Sequence, residues 1–310
     1  MAAPSPSNVW AVGFETNPLQ YNLTAPVAMH WDGRKATLVP IPLSWGNGLA
    51  SVAALGREAW AVGAGDQRAV TLHWQGRKWV AVHNPGGSGS SLLGVAMVSR
   101  TDVWVVGNGK TGGIVLRWNG SKWSSAPPPG LDGGLSALAR IPGTSQVWVG
   151  GSDSSSPTGF SVARWTGSGW AKFALPGKAG AQGYTQASGS LAAASASSAW
   201  VALTLTNSVG RNRTDVIHWN GSTWSQVQSP NPNAAGDWLN AVAARSDTDA
   251  WAVGGFGKPR KKTQALVLHW NGSTWSRVRN PGLQLRAVAA APGTRQVWVG
   301  GAKLQRYRCY

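Results

Sequence analysis

Apolar and polar positions alternate along this chain in short bursts, and no segment keeps apolar residues three and four apart for long enough to predict a helix. The bursts come in fours. A run of small apolar residues opens each group, as in Leu49-Ala50-Ser51-Val52-Ala53-Ala54 or Leu239-Asn240-Ala241-Val242-Ala243-Ala244. A polar turn such as Arg245-Ser246-Asp247-Thr248-Asp249 leads to a second run, Trp251-Ala252-Val253-Gly254. A loop of variable length follows, and the third run ends on tryptophan, as in Ala265-Leu266-Val267-Leu268-His269-Trp270. An Asn-Gly or Asp-Gly step then predicts a tight hairpin, because both residues accept positive φ. The fourth run alternates, as in Trp275-Ser276-Arg277-Val278-Arg279, and stops in a Pro/Gly/Asn loop that cannot continue a strand. Each group reads as four short β-strands.

Three tryptophan series keep the groups in step. The first is Trp10, Trp60, Trp104, Trp148, Trp200, Trp251 and Trp298, with gaps of 50, 44, 44, 52, 51 and 47 residues. The second is Trp31, Trp74, Trp118, Trp165, Trp219 and Trp270, each followed by a residue and a glycine. The third, five residues later, is Trp79, Trp123, Trp170, Trp224 and Trp275, with Ala36 in that place in the first group. Only Trp45 and Trp238 fall outside the register. Four-stranded units repeating every 40 to 50 residues or so predict the blades of a β-propeller. Small residues suit the crowded inner strand, and the indoles fill the widening gaps between blades. The expected fold is therefore all-β, one propeller domain over residues 1–310, with units near 1–46, 47–90, 91–133, 134–188, 189–237, 238–282 and 283–310. Seven blades are expected, the first and last incomplete. Six is the alternative, with residues 285–290 completing the N-terminal blade. Met1-Ala2-Ala3-Pro4 aligns with Ala289-Ala290-Ala291-Pro292, so the chain reads as starting inside a first strand and as N-terminally truncated.

Composition adds a charge and removes several classes. The chain has 28 Lys and Arg against 11 Asp and Glu, a net charge of +17. Such a surplus attracts polyanions. One basic run stands out, Lys258-Pro259-Arg260-Lys261-Lys262, in the loop after the second strand of the sixth unit. No nucleic-acid module accompanies it. No apolar stretch is long enough to predict a membrane span, and no signal peptide is visible. Cys309 is the only cysteine, so no internal disulfide forms. The Asn-x-Ser/Thr triplets at Asn119, Asn220 and Asn271 belong to the hairpins, so turn geometry accounts for them.

The repeat resembles bacterial β-propeller proteins carrying "WAVG … HWNGxxW" repeats, often predicted to be secreted or on the cell surface. That resemblance covers nearly the whole chain and implies a propeller without an established activity. More distantly it resembles Kelch repeats, through Trp251-Ala252-Val253-Gly254-Gly255 and the pair Trp270 and Trp275. The hairpin between that pair is shorter than in Kelch. Asn220 to Trp224 and Asn271 to Trp275 also look like a degenerate Asp-box hairpin.

The candidate chemistry is thin. His30, His73, His218 and His269 each precede a second-series tryptophan, and Arg117 and Arg164 replace them in units three and four. A position that recurs around a ring does not gather ligands to one metal, so no metal and no cofactor are expected. The Tyr–Cys copper constellation of galactose oxidase, a Kelch-like propeller, is absent. Arg140-Ile141-Pro142 matches a sialidase motif in letters, yet aligns as the turn after a first strand. With only Glu15 and Glu58 as glutamates, paired carboxylates for glycoside hydrolysis are hard to assemble. No enzyme is expected; a sialidase-like glycoside hydrolase or lyase is the alternative.

The loops after the second and fourth strands vary most, while the opposite turns are short and uniform. One constant and one diversified face suit a binding scaffold. The candidate ligand-binding residues are Trp45, Trp238, Tyr184 and Phe256, with Lys258, Arg260, Lys261 and Lys262. The alternative for Trp45 and Trp238 is plain packing. The expected function is a non-enzymatic binding module, monomeric and extracellular or on the cell surface. Its expected partner is a glycan, an anionic polymer or a protein.

Overall fold

The computed structural model describes residues 1–16, 24–44, 46–66, 68–177, 183–233, 235–257, 263–280, 282–301 and 303–308. Among them all regular structure is extended, in 27 strands. The strands form seven antiparallel sheets, six of four strands and one of three, in each of which sequence neighbours are sheet neighbours. The fold is a seven-bladed β-propeller. The blades cover residues 2–38, 47–81, 91–125, 135–174, 184–227, 237–277 and 287–308. Ala287–Ala290 pairs with Gln296–Gly300, which pairs with Leu304–Arg308, so these residues build their own sheet and do not complete the first. The end blades are the reduced ones. The first strand of blade 1, Ala2–Ser5, is less than half as long as Asn47–Leu55 of blade 2, and blade 7 has three strands. No helix of the described residues is long and apolar enough to cross a membrane.

Two compact units divide the chain. One holds Met1–Pro128, Gly134–Leu138 and Ala291–Thr294; the other holds Pro129–Gly133, Ala139–Ala290 and Arg295–Tyr310. In the first unit, Trp60 is fully buried between blades 2 and 3. Its ring lies 5.0 Å from Trp123, edge-on at 86°, and 5.0 Å from Trp118. Trp10 meets Trp79 and Trp74 of the next blade in the same way. The second unit repeats the arrangement, Trp148 against Trp219 and Trp224, and Trp200 against Trp270 and Trp275. Aromatic rings favour this edge-to-face packing, which adds to the burial of large apolar surfaces.

A second device recurs with the first-series tryptophan. The residue opposite it on the third strand is always His or Arg: Trp10 faces His30, Trp60 His73, Trp104 Arg117, Trp148 Arg164, Trp200 His218, Trp251 His269 and Trp298 Arg306. The imidazoles stack on the indoles at 4.1–4.4 Å, and the guanidiniums lie over them. In blades 1, 2, 3, 5 and 6 their outer nitrogens reach the residue two before the tryptophan. His73 Nε2 is 2.6 Å from Glu58, His30 Nε2 2.8 Å from Asn8, and Arg117 donates twice to Asp102. Burial lowers the pKa of His30, His218 and His269, which favours the neutral ring. The register also identifies a seventh third strand. Tyr307 stands where the other blades have the second-series tryptophan, and its ring meets Trp251.

The hairpins close as the Asn-Gly steps require. Asn271 Oδ1 accepts the backbone N–H groups of Ser273 and Thr274, while Gly272 takes φ +98°. Asn119, Asn220 and Asp32 do the same.

The glycine of the Trp-Ala-Val-Gly phrase has a steric cause. The first and second strands of blades 2, 3 and 6 shift register by a bulge beside it. That bulge drives a first-strand carbonyl to 1.9 Å from where a Cβ on Gly63 or Gly107 would sit, and to 2.0 Å at Gly254. Blade 5 has Leu203 at this position. There Gly189 lies opposite, in a stretch free of bulges, and gives Leu203 its room.

Candidate functional site

Of the sequence candidates, Trp45, Lys258, Arg260, Lys261 and Lys262 lie outside the described residues. Tyr184, Trp238 and Phe256 fall on blades 5 and 6. Trp238, on the first strand of blade 6 (Asp237–Ser246), is half-buried. Its indole covers Gly255, where a Cβ would fall 2.6 Å from the ring. The same indole walls a cleft of about 290 Å3 whose other sides are Gly210, Asn212, Ala235, Gly236 and Gly257. Gly236 and Gly257 both have positive φ, and the Gly257 N–H donates to the Gly236 carbonyl at 3.0 Å, which makes a bare backbone floor. Tyr184 is half-buried, with the Arg213 guanidinium 5.8 Å from its ring. Phe256 is 7% exposed, and Arg277 covers its ring at 4.4 Å. Phe256 is thus floor beneath a cation, and Trp238 is the described candidate with an open wall. Tyr184 and Trp238 both border the blade 5 segment 207–213.

The structure adds three buried carboxylates to the sequence candidates: Asp153, Asp215 and Asp237. They belong to three consecutive blades. Each is near the residue two after the start of its blade's fourth strand: Lys172, Gln226 and Arg277. Blades 1 to 3 have Leu38, Ala81 and Ser125 at that register. Aligning the blades on their tryptophans shows the change from apolar or small to polar, so the signal was present.

The three acids differ in their surroundings. Asp153 is deeply buried, which works to raise its pKa. The Lys172 ammonium at 2.8 Å and hydrogen bonds from Ser155 outweigh that and hold it at about 2. Asp237 is pushed up to about 6 by burial, against the Asn233 N–H and the charge of Arg277. Asp215 is also raised by burial, opposed by Gln226 and Arg213. Gln226 Nε2 donates to both carboxylate oxygens of Asp215, at 2.8 and 3.0 Å.

Five further acids serve the scaffold. Glu58 holds His73, Asp102 holds Arg117, Asp132 accepts from Ser154, and Asp249 accepts from Arg245 and Trp251. Asp32 closes its hairpin. With Asp153, Asp215 and Asp237, eight of the chain's eleven acidic side chains have partners in the structure. Among the described residues no three His, Cys, Asp or Glu side chains group to hold a metal. Arg140-Ile141-Pro142 is the turn after Leu135–Arg140, with the Ile141 N–H bonded to the Gln146 carbonyl.

No family of protein domains matches the sequence, and no curated protein does. Solved structures match the fold. YCF48 bound to D1 peptide superposes with a TM-score of 0.61 at 15% identity, covering 100% of this chain and 94% of that one. A PL25 polysaccharide lyase, an ulvan lyase, gives 0.58 at 10% identity, covering 96% and 90%. A fucose-specific lectin from Aleuria aurantia gives 0.51 at 14% identity, covering 82% and 87%. At these identities the likeness is one of fold.

Proposed function

We propose that this chain is a non-enzymatic binding module that holds an anionic glycan chain across the loop side of blades 5 and 6. The cleft walled by Trp238 carries the reading. A half-buried indole beside a floor of Gly236 and Gly257 offers a flat apolar face where a sugar ring can lie. The charge supports an anionic ligand. Most acids are consumed by structural partners, which leaves the 28 cations largely unbalanced, and the Lys258–Lys262 run follows Gly257 directly in sequence. Two of the similar propellers are described as a lectin and a polysaccharide lyase, so sugars are ligands that this fold accommodates. The engagement of Asp32, Glu58, Asp102, Asp132 and Asp249 in scaffold contacts weighs against the hydrolase or lyase alternative.

The test is a titration of the full chain with heparin and with neutral dextran at low and high salt. Heparin is expected to bind at low salt and to weaken as salt rises. Trp238→Ala is expected to bind it at least about ten-fold more weakly, equivalent to about 1.4 kcal/mol. Equal binding by Trp238→Ala at every salt concentration would reduce the interaction to charge-driven adsorption and refute the cleft.

A further inference from the structure

Asp215 breaks the repeat in a way that packing does not explain. It lies on the third strand of blade 5, Asn212–Trp219, four residues before the second-series tryptophan. Blades 1, 2, 3 and 6 have Val27, Val70, Ile114 and Leu266 at that register, blade 4 has Ser161, and blade 7 has Lys303. Burying a carboxylate where a branched apolar residue fits costs stability unless strong partners meet it. Asp215 is 4% exposed. Its side-chain partner is the neutral amide of Gln226, itself an exposed residue, with help from the Val216 backbone N–H. A carboxylate offers about four lone-pair directions, so acceptor capacity remains. Asp153 in blade 4 shows the closed alternative, an ammonium placed directly on the carboxylate.

Asp215 borders a groove. Arg213, Asp215, Gln226, Gln228, Ser229 and Asn231 line a space of about 580 Å3, within the range of small-ligand sites. Its floor is fixed. Asn231 Oδ1 accepts the Thr214 N–H at 2.7 Å, and the Asn231 amide donates to the Thr214 carbonyl. The charges select the ligand. Asp215 repels an anion, and Arg213 beside it repels a cation. A neutral polyol meets both, donating hydroxyl hydrogens to the carboxylate and accepting from the guanidinium.

We propose that this groove is a second site, a socket for one neutral pyranose unit whose adjacent hydroxyl groups donate to Asp215 and whose oxygens accept from Arg213. The exposed Gln226 amide gives way or shares the carboxylate when the sugar enters. The socket is separate from the Trp238 cleft and does not depend on an anionic ligand there.

The test uses the full chain and the methyl glycosides of glucose, galactose, mannose and fucose, followed by saturation-transfer NMR. At least one glycoside is expected to show transfer. Asp215→Val restores the residue type of blades 1 and 2, and it is expected to abolish transfer while the melting temperature holds or rises. Gln226→Lys copies Lys172 opposite Asp153, and it is expected to abolish transfer by filling the carboxylate's acceptor sites. Should Asp215→Val fail to fold, Gln226→Lys decides alone, because position 226 is exposed. The socket is overturned if no glycoside shows transfer to the native chain, or if a folded variant binds as the native chain does. Lack of transfer alongside intact heparin binding overturns the socket and leaves the Trp238 cleft standing.

Discussion

Gly254→Ala is expected to lower the melting temperature by about 10 °C or to prevent folding. The added Cβ would sit 2.0 Å from the Trp238 carbonyl oxygen and 2.8 Å from Leu239 Cα. Both obstacles are backbone, so no rotamer change relieves the clash. Overpacking against movable side chains costs about 1–3 kcal/mol, and here the first strand must be pushed out of its bulge as well. A loss of about 3 kcal/mol or more follows; domains of about 150–250 residues lose roughly 2–4 °C per kcal/mol, a size this 310-residue chain exceeds, so the shift is on the order of 10 °C. Gly13→Ala in blade 1 is the control. A Cβ there meets nothing within 4 Å, because the short first strand does not reach it. Thermal denaturation followed by circular dichroism checks the pair. Similar melting temperatures for Gly254→Ala and Gly13→Ala would show that the glycine is not there for the bulge.

Trp60→Ala is expected to cost about 3–5 kcal/mol, the range for emptying a buried Phe or Trp site. Trp60 has no exposed surface, stacks on His73 at 4.4 Å and 9°, and meets Trp118 and Trp123 of the next blade. Removing it opens a cavity bounded by strand backbone on two sheets, which collapses poorly. His73 also loses the surface it rests on and Glu58 the order of its partner. Denaturant titration measures the loss, and Trp60→Phe is expected to recover part of it. A loss under 1 kcal/mol for Trp60→Ala would mean that the indoles do not cement the sheets.

Much of the scaffold was legible because its signals are local and repeated. The Trp-Ala-Val-Gly phrase, repeated seven times, and the hairpin and fourth strand, repeated six times, each report a backbone requirement and fix the register. Arg306-Tyr307 was harder to read, because tyrosine replaces the tryptophan and no hairpin glycine follows. Strand pairing shows that Tyr307 takes the tryptophan's place in the seventh third strand. The site was less legible. Trp238 stood out by leaving the register. Phe256 stood out too, but sequence does not show that Arg277 lies on its ring. The burial of Asp153, Asp215 and Asp237 is not legible in the sequence, because it depends on what packs around each position in the fold. The cue was comparative: the residue two after the fourth strand begins is polar in blades 4 to 6 and apolar or small in blades 1 to 3.

The central claim is that binding occurs where blades 5 and 6 depart from the repeat. Hydrogen–deuterium exchange of the full chain, with and without heparin, tests it most directly. The account predicts slower exchange in the blade 5 loop around residues 207–213 and in the segments around Gly236 and Gly257. Protection confined to blades 1 to 3 would contradict it, as would unchanged exchange under conditions where heparin is bound.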